Sequence, residues 1–174
     1  MRLRGDTVLR VLGLTLGLVA ATTLVAASRI PAGTGALGAD VIFASAPTGE
    51  LAVSPTGPFL SATNLTPAVT DDPSGSLRIT NQTGVNLLVQ VHGVPSSDDL
   101  DQALQVRVAV ADMTLFDGTL GRFRSWSRAS LALVPGESAD LEVTVRLNPS
   151  AQGWSGRIAT VAVEFRSTPQ KDAS

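Results

Sequence analysis

The sequence predicts an all-β protein, an antiparallel β-sandwich of jelly-roll or immunoglobulin-like type. Three observations carry this: five runs alternate apolar and polar residues with period two, turn residues recur between short runs, and no long stretch has helical periodicity. The five runs are Leu77–Thr80, Val85–His92, Gln105–Val110, Leu141–Leu147 and Ala159–Arg166. Their inward sets are rich in Val, Leu and Ile and their outward sets are polar, as half-buried antiparallel strands require.

Weaker candidates are Asp40–Ala44, Leu51–Ser54, Phe59–Asn64, Met113–Phe116 and Ser130–Leu133. Pro55-Thr-Gly-Pro58, Asp72-Pro-Ser-Gly75, Asn81-Gln-Thr-Gly84, Asp117-Gly118 and Pro135-Gly136 read as the turns between them. The one helix predicted is Ser97–Leu104, with Ser96 or Ser97 as N-cap, acids in the first turn, and Leu100 and Leu104 four apart.

Four segments organise the chain: a signal peptide over 1–27, a flexible leader over 28–39, the sandwich over 40–167 and a polar tail over 168–174. Arg2, Arg4 and Arg10 precede the uncharged run Val11–Ala27, and Val25-Ala26-Ala27 fits the small-residue rule for cleavage before Ser28. A retained membrane anchor is the competing reading. As a helix, Val11–Ala27 would be about 25 Å long, short of the ~30 Å hydrocarbon core. Either reading places the domain outside the cytoplasm, at the cell surface or beyond it.

Composition narrows the chemistry. The chain has 174 residues, 44% hydrophobic and 16% charged, too apolar for disorder. It has no Cys and one His, which excludes disulfide scaffolds, thiol nucleophiles and any two-histidine metal site. A net charge of −2 argues against general nucleic-acid binding. No cofactor, metal site or catalytic residue is assigned.

His92 falls on the polar face of its strand with Asn86 and Gln90, which reads as a surface histidine rather than a base. Asp98, Asp99 and Asp101, or Asp71 and Asp72, could offer oxygens to calcium, but the spacing of an EF-hand loop is absent. Asn64 and Asn81 stand in glycosylation sequons and read as turn asparagines. Arg122, Arg124, Trp126 and Arg128 share strand parity, giving a basic stripe with one aromatic. The stripe could contact a polyanion; a charged edge strand protected from unwanted pairing is the plainer reading.

The order of several motifs resembles the TasA/camelysin family of exported bacterial proteins. The matching segments are Asp40-Val-Ile-Phe43 after a small-residue stretch, Leu77-Arg-Ile-Thr-Asn-Gln-Thr-Gly84, Leu115-Phe-Asp-Gly-Thr-Leu120, Leu133-Val-Pro-Gly-Glu-Ser138 and Gly156-Arg-Ile-Ala-Thr-Val-Ala-Val-Glu-Phe165. Ala68 departs from the pattern where a Gly would follow Pro67, and Asp40-Val-Ile-Phe-Ala-Ser45 replaces the aromatic-Phe-Thr/Ser-Asp stretch usual after the signal. The resemblance implies a secreted or surface-attached sandwich, processed by a dedicated signal peptidase, whose relatives include biofilm-matrix fibre subunits. Partners would then be further copies of the chain and other matrix components. The metalloprotease label of camelysin-type members does not carry over, because one histidine cannot make that zinc site.

Three functions follow in order: a non-catalytic structural protein, a monomeric adhesion or polysaccharide-binding module, and a secreted hydrolase. For the first, Val41, Ile42, Phe43, Leu51 and Val53 are candidate donor-strand residues, since a strand after a free leader can complete a neighbour's sheet edge. The alternative is that they form the first strands of their own sandwich.

Overall fold

The computed structural model describes residues 38–67 and 72–170. Ten strands follow one another: β1 (Ala39–Ser45), β2 (Leu51–Ser54), β3 (Gly57–Leu65), β4 (Ser74–Asn81), β5 (Leu87–Pro95), β6 (Leu104–Val110), β7 (Met113–Thr119), β8 (Leu131–Leu133), β9 (Ser138–Leu147) and β10 (Ile158–Pro169). One sheet has the order β3-β1-β10-β5-β8, the other β2-β4-β9-β6-β7. The chain crosses between sheets at every step except the β6–β7 hairpin, a jelly-roll-like path that closes one core between two sheets. All neighbours are antiparallel except β1 and β10, which run parallel with Val41 beside Ala159 and Phe43 beside Val161.

The alternation read from sequence becomes the core. Val89 and Val91 of β5, Val161 and Val163 of β10, and Val143 and Val145 of β9 are almost wholly buried, with outward neighbours more exposed. All five strong runs and all five weaker ones contain a strand, but Val85 and Asn86 precede β5 and Ser130 precedes β8, and Val85, expected to face inward, is exposed. β10 continues to Pro169, two residues into the segment read as a tail. The signal and the leader up to Leu37 lie outside the described residues, as do Asp71 and the last four positions.

Two local readings are corrected. Ser97–Ala103 forms turns rather than a helix, with Asp101 N donating to Asp98 O and Leu104 N to Leu100 O. A single turn saves too few hydrogen bonds to repay nucleation, and Leu104 is already the first residue of β6. The helix lies instead at α1 (Leu120–Phe123). Thr119 caps it, its hydroxyl accepting from Arg122 N, and Leu120 and Phe123 both point into the core. Asp117-Gly118 is not a turn either: it sits inside β7, and the hairpin turns at Ala111, whose φ is +47°.

The proposed donor strand belongs to its own sandwich. Val41 and Phe43 are fully buried in β1, between β3 and β10, while Leu51 and Val53 pair with Asn81 and Ile79 of β4. Ile42 is buried on the opposite face, beside Ser61 and Thr160. Filling this central slot takes Val41 and Phe43 fully out of water.

Candidate functional site

Past α1 the chain follows the edge of β5 before becoming β8. Ser127 fixes it there: its N–H donates to Val91 O at 2.8 Å, and its hydroxyl accepts from Val91 N at 3.1 Å and donates to Ala129 O at 2.7 Å. The hydroxyl is buried, so these bonds form out of competition with water. Residues 124–130 therefore form a strap, not the strand that the parity of Arg122–Arg128 suggests.

The strap lays Trp126 over the outer face of β5. Its ring lies 3.8 Å from that of His92, centroid to centroid, and the Arg166 guanidinium sits 4.8 Å from the indole centroid. Arg166 donates to Gln90 Oε1, and Gln90 Nε2 donates to Ser127 O at 2.7 Å, closing a ring of contacts between β5, β10 and the strap. His92 has partners on both nitrogens: Arg124 O at 3.3 Å from Nδ1 and Glu164 Oε2 at 3.0 Å from Nε2. Both are acceptors, so a neutral ring satisfies one and an imidazolium satisfies both. The side chain is only 14% exposed. His92 does face outward as its parity predicts, but Trp126 covers it, and it is not a freely solvated surface histidine.

Of the four stripe residues, the structure brings three together. Arg122, Trp126 and Arg128 line an open groove of about 290 Å³ between the strap and residues 115–117 of β7. Arg124 turns away, forming a bidentate pair with Asp101 at 2.8 and 3.1 Å and donating to Ser97 O. The guanidinium groups of Arg122 and Arg128 carry no hydrogen bond or ion pair with any described residue. Asp117 and Ser125 add an acid and a hydroxyl to the lining, and Phe116, ring-packed on Phe123 at 4.7 Å, supplies an apolar wall.

Two of the acidic candidates are paired with arginines. Asp101 holds Arg124, and Asp99 lies 3.4 Å from Arg157. Among the described residues no three His, Cys, Asp or Glu come together as a metal site. Asn64 takes a left-handed φ of +55° at the end of β3, where its N–H donates to Asp40 Oδ1. Asn81 is buried, which its sequon reading as a turn asparagine missed. The strap was missed as well. The signal for it was Thr119-Leu120-x-x-Phe123, a cap followed by two apolar residues three apart.

The chain matches no protein-family model and no curated protein sequence.

Proposed function

We propose that the chain is an exported, non-catalytic structural domain of a cell surface or extracellular matrix, akin to fibre subunits of TasA type. One observation carries this reading: the only imidazole in the chain is committed to the fold, bonded to Arg124 O and Glu164 and covered by Trp126. A general base needs a free nitrogen within reach of a nucleophile, and here Nδ1 faces Arg124 O of the strap and Nε2 faces Glu164 of the neighbouring strand. The basic and apolar N-terminal pattern and the order of TasA-like motifs support export and assembly. The ends of the two sheets, β3 and β8 in one and β2 and β7 in the other, leave edge groups available for contacts between copies.

The test is electron microscopy of purified secreted protein over a range of concentrations. Filaments or ordered sheets are the expected result. Monodisperse particles at all concentrations overturn the assembly reading, and hydrolytic activity abolished by His92→Ala overturns the non-catalytic one. A second reading, a monomeric polysaccharide-binding module, is favoured by the groove beside Trp126 with its two unpaired arginines.

A further inference from the structure

We infer that the groove between β7 and the strap binds a carboxylate-bearing sugar, one uronic acid unit of an acidic polysaccharide. The inference stands on the groove alone and does not depend on fibre formation. At about 290 Å³ the groove lies at the lower end of small-molecule sites, which run from roughly 300 Å³ upward, so one or two sugar rings match it.

The lining sorts by chemistry into the parts such a ligand needs. The guanidinium groups of Arg122 and Arg128 have no partner among the described residues, so each keeps a fork of donors free for a carboxylate. Every other arginine with an ion pair, Arg78, Arg124 and Arg157, has its acid supplied by the chain itself. Arg122 and Arg128 stand together in one groove with both side chains exposed, so an anion seated there meets two cations at once. α1 places Arg122 beside Gly118, where the absence of a side chain leaves room for its guanidinium. Arg128 and Trp126 are held by the Ser127 bonds between them.

Asp117 and Ser125 favour an anion that also carries hydroxyl groups, since a carboxylate and a hydroxyl can both hydrogen-bond the hydroxyls of a sugar. Trp126 and Phe116 give the apolar wall against which the C–H face of a pyranose packs. Nucleic acid, which calls for a broad basic surface, fits poorly with a net charge of −2 and an acid inside the groove.

Calorimetry of the full chain with oligogalacturonate tests this, alongside its methyl-esterified form, duplex DNA and the variants Arg122→Gln/Arg128→Gln and Arg146→Gln. Both groove arginines are exposed and unpaired, so the double variant should keep the wild-type melting temperature. Expected are binding of oligogalacturonate that weakens with salt, a loss of at least about tenfold in the double variant, no loss in Arg146→Gln, and no binding of the ester. Absence of oligogalacturonate binding overturns the inference, as does full affinity in the double variant. Tighter binding of DNA than of oligogalacturonate overturns the sugar assignment. Filaments seen by microscopy with the double variant leave the structural reading intact while the groove fails, so the two are separable.

Discussion

The side-chain amide of Asn81 joins the two sheets: from the end of β4 its Nδ2 donates to Leu133 O, in β8 of the opposite sheet, at 3.0 Å. The same nitrogen donates to Val85 O at 2.8 Å, and Oδ1 accepts from Thr83 N at 2.9 Å and Thr83 Oγ1 at 2.7 Å. Its backbone closes the knot, donating to Glu137 O and accepting from Gly136 N, where Gly136 at φ +77° makes the Pro135-Gly136 turn.

Asn81→Leu keeps much of the volume and removes every side-chain bond. Because the residue is 1% exposed, Leu133 O loses its partner where water enters poorly, while Val85 O and the Thr83 groups lie nearer solvent. The expected cost is about 2–3 kcal/mol in urea unfolding. A change below about 0.5 kcal/mol, the scale of an ordinary surface substitution, would show that the bridge contributes nothing.

Gly93 explains how α1 sits on the sandwich. A Cβ there would lie 2.4 Å from Phe123 Cδ1 and 3.0 Å from Val161 Cγ1, both buried. Phe123 thus packs against bare β5 backbone, and Gly93→Ala must push the ring and with it α1 and the strap. Overpacking of this kind costs about 1–3 kcal/mol. Thermal unfolding followed by circular dichroism should fall by about 3–10 °C for a domain of this size. The near-ultraviolet band of Trp126 should change as well.

Strands were legible because their residues obey the pleat. Val143 and Val145 of β9 face the core and Thr144 faces out, so period two survives folding intact. The groove was legible only in composition: Arg122, Trp126 and Arg128 were picked out as a stripe, on the wrong geometry. Their alternation mimics a strand, yet Thr119 offers a cap, Leu120 and Phe123 need burial on one side, and Ser127 finds Val91. The cap and the two apolar residues are a local signal, but Val91 lies 36 residues from Ser127, and no local pattern announces that pairing. The short helix predicted at Ser97 failed for the same reason, since pairing of Leu104 with Leu147 begins β6 before a second turn can form.

Arg78 and Asp140 form a two-bond pair across β4 and β9, at 2.7 and 2.9 Å. The hydrogen bonds from Arg78, with its charge, hold the Asp140 carboxyl below its ordinary value of 3.8. A carboxylate depressed in the folded state adds stability above its unfolded pKa, and that stability is lost as pH falls through the lower folded value. Carbon-detected NMR should give Asp140 a midpoint below 3.8, and Arg78→Gln should return it toward that value. Both side chains are exposed, so high salt should shrink the difference. An unchanged midpoint in Arg78→Gln would mean the pair is not populated in solution.

Removing divalent cations should leave stability unchanged. Two of the three acids in the loop before β6 are paired with arginines, Asp101 with Arg124 and Asp99 with Arg157. A chelator titration read by thermal unfolding checks this. A fall of several degrees would place a cation at these carboxylates and reassign the arginines as its neighbours.

The position of β1 makes a sharper prediction about the first strand. It lies between β3 and β10, bonded to both, and carries Ala39, Val41 and Phe43 unexposed into the core. Phe43→Ala removes a fully buried ring and should cost about 3–5 kcal/mol. A chain shortened to begin at Pro55 loses more: β3 is severed from the sheet, β10 loses one edge, and β4 loses β2. Such a chain should show no cooperative unfolding transition. A synthetic peptide spanning residues 38–54 restores one if the slot accepts a strand in trans. Restoration would make strand exchange between copies energetically accessible, because the slot does not distinguish its own β1 from a neighbour's. A shortened chain that folds cooperatively alone would show that β1 is dispensable to the core, against the burial of Phe43.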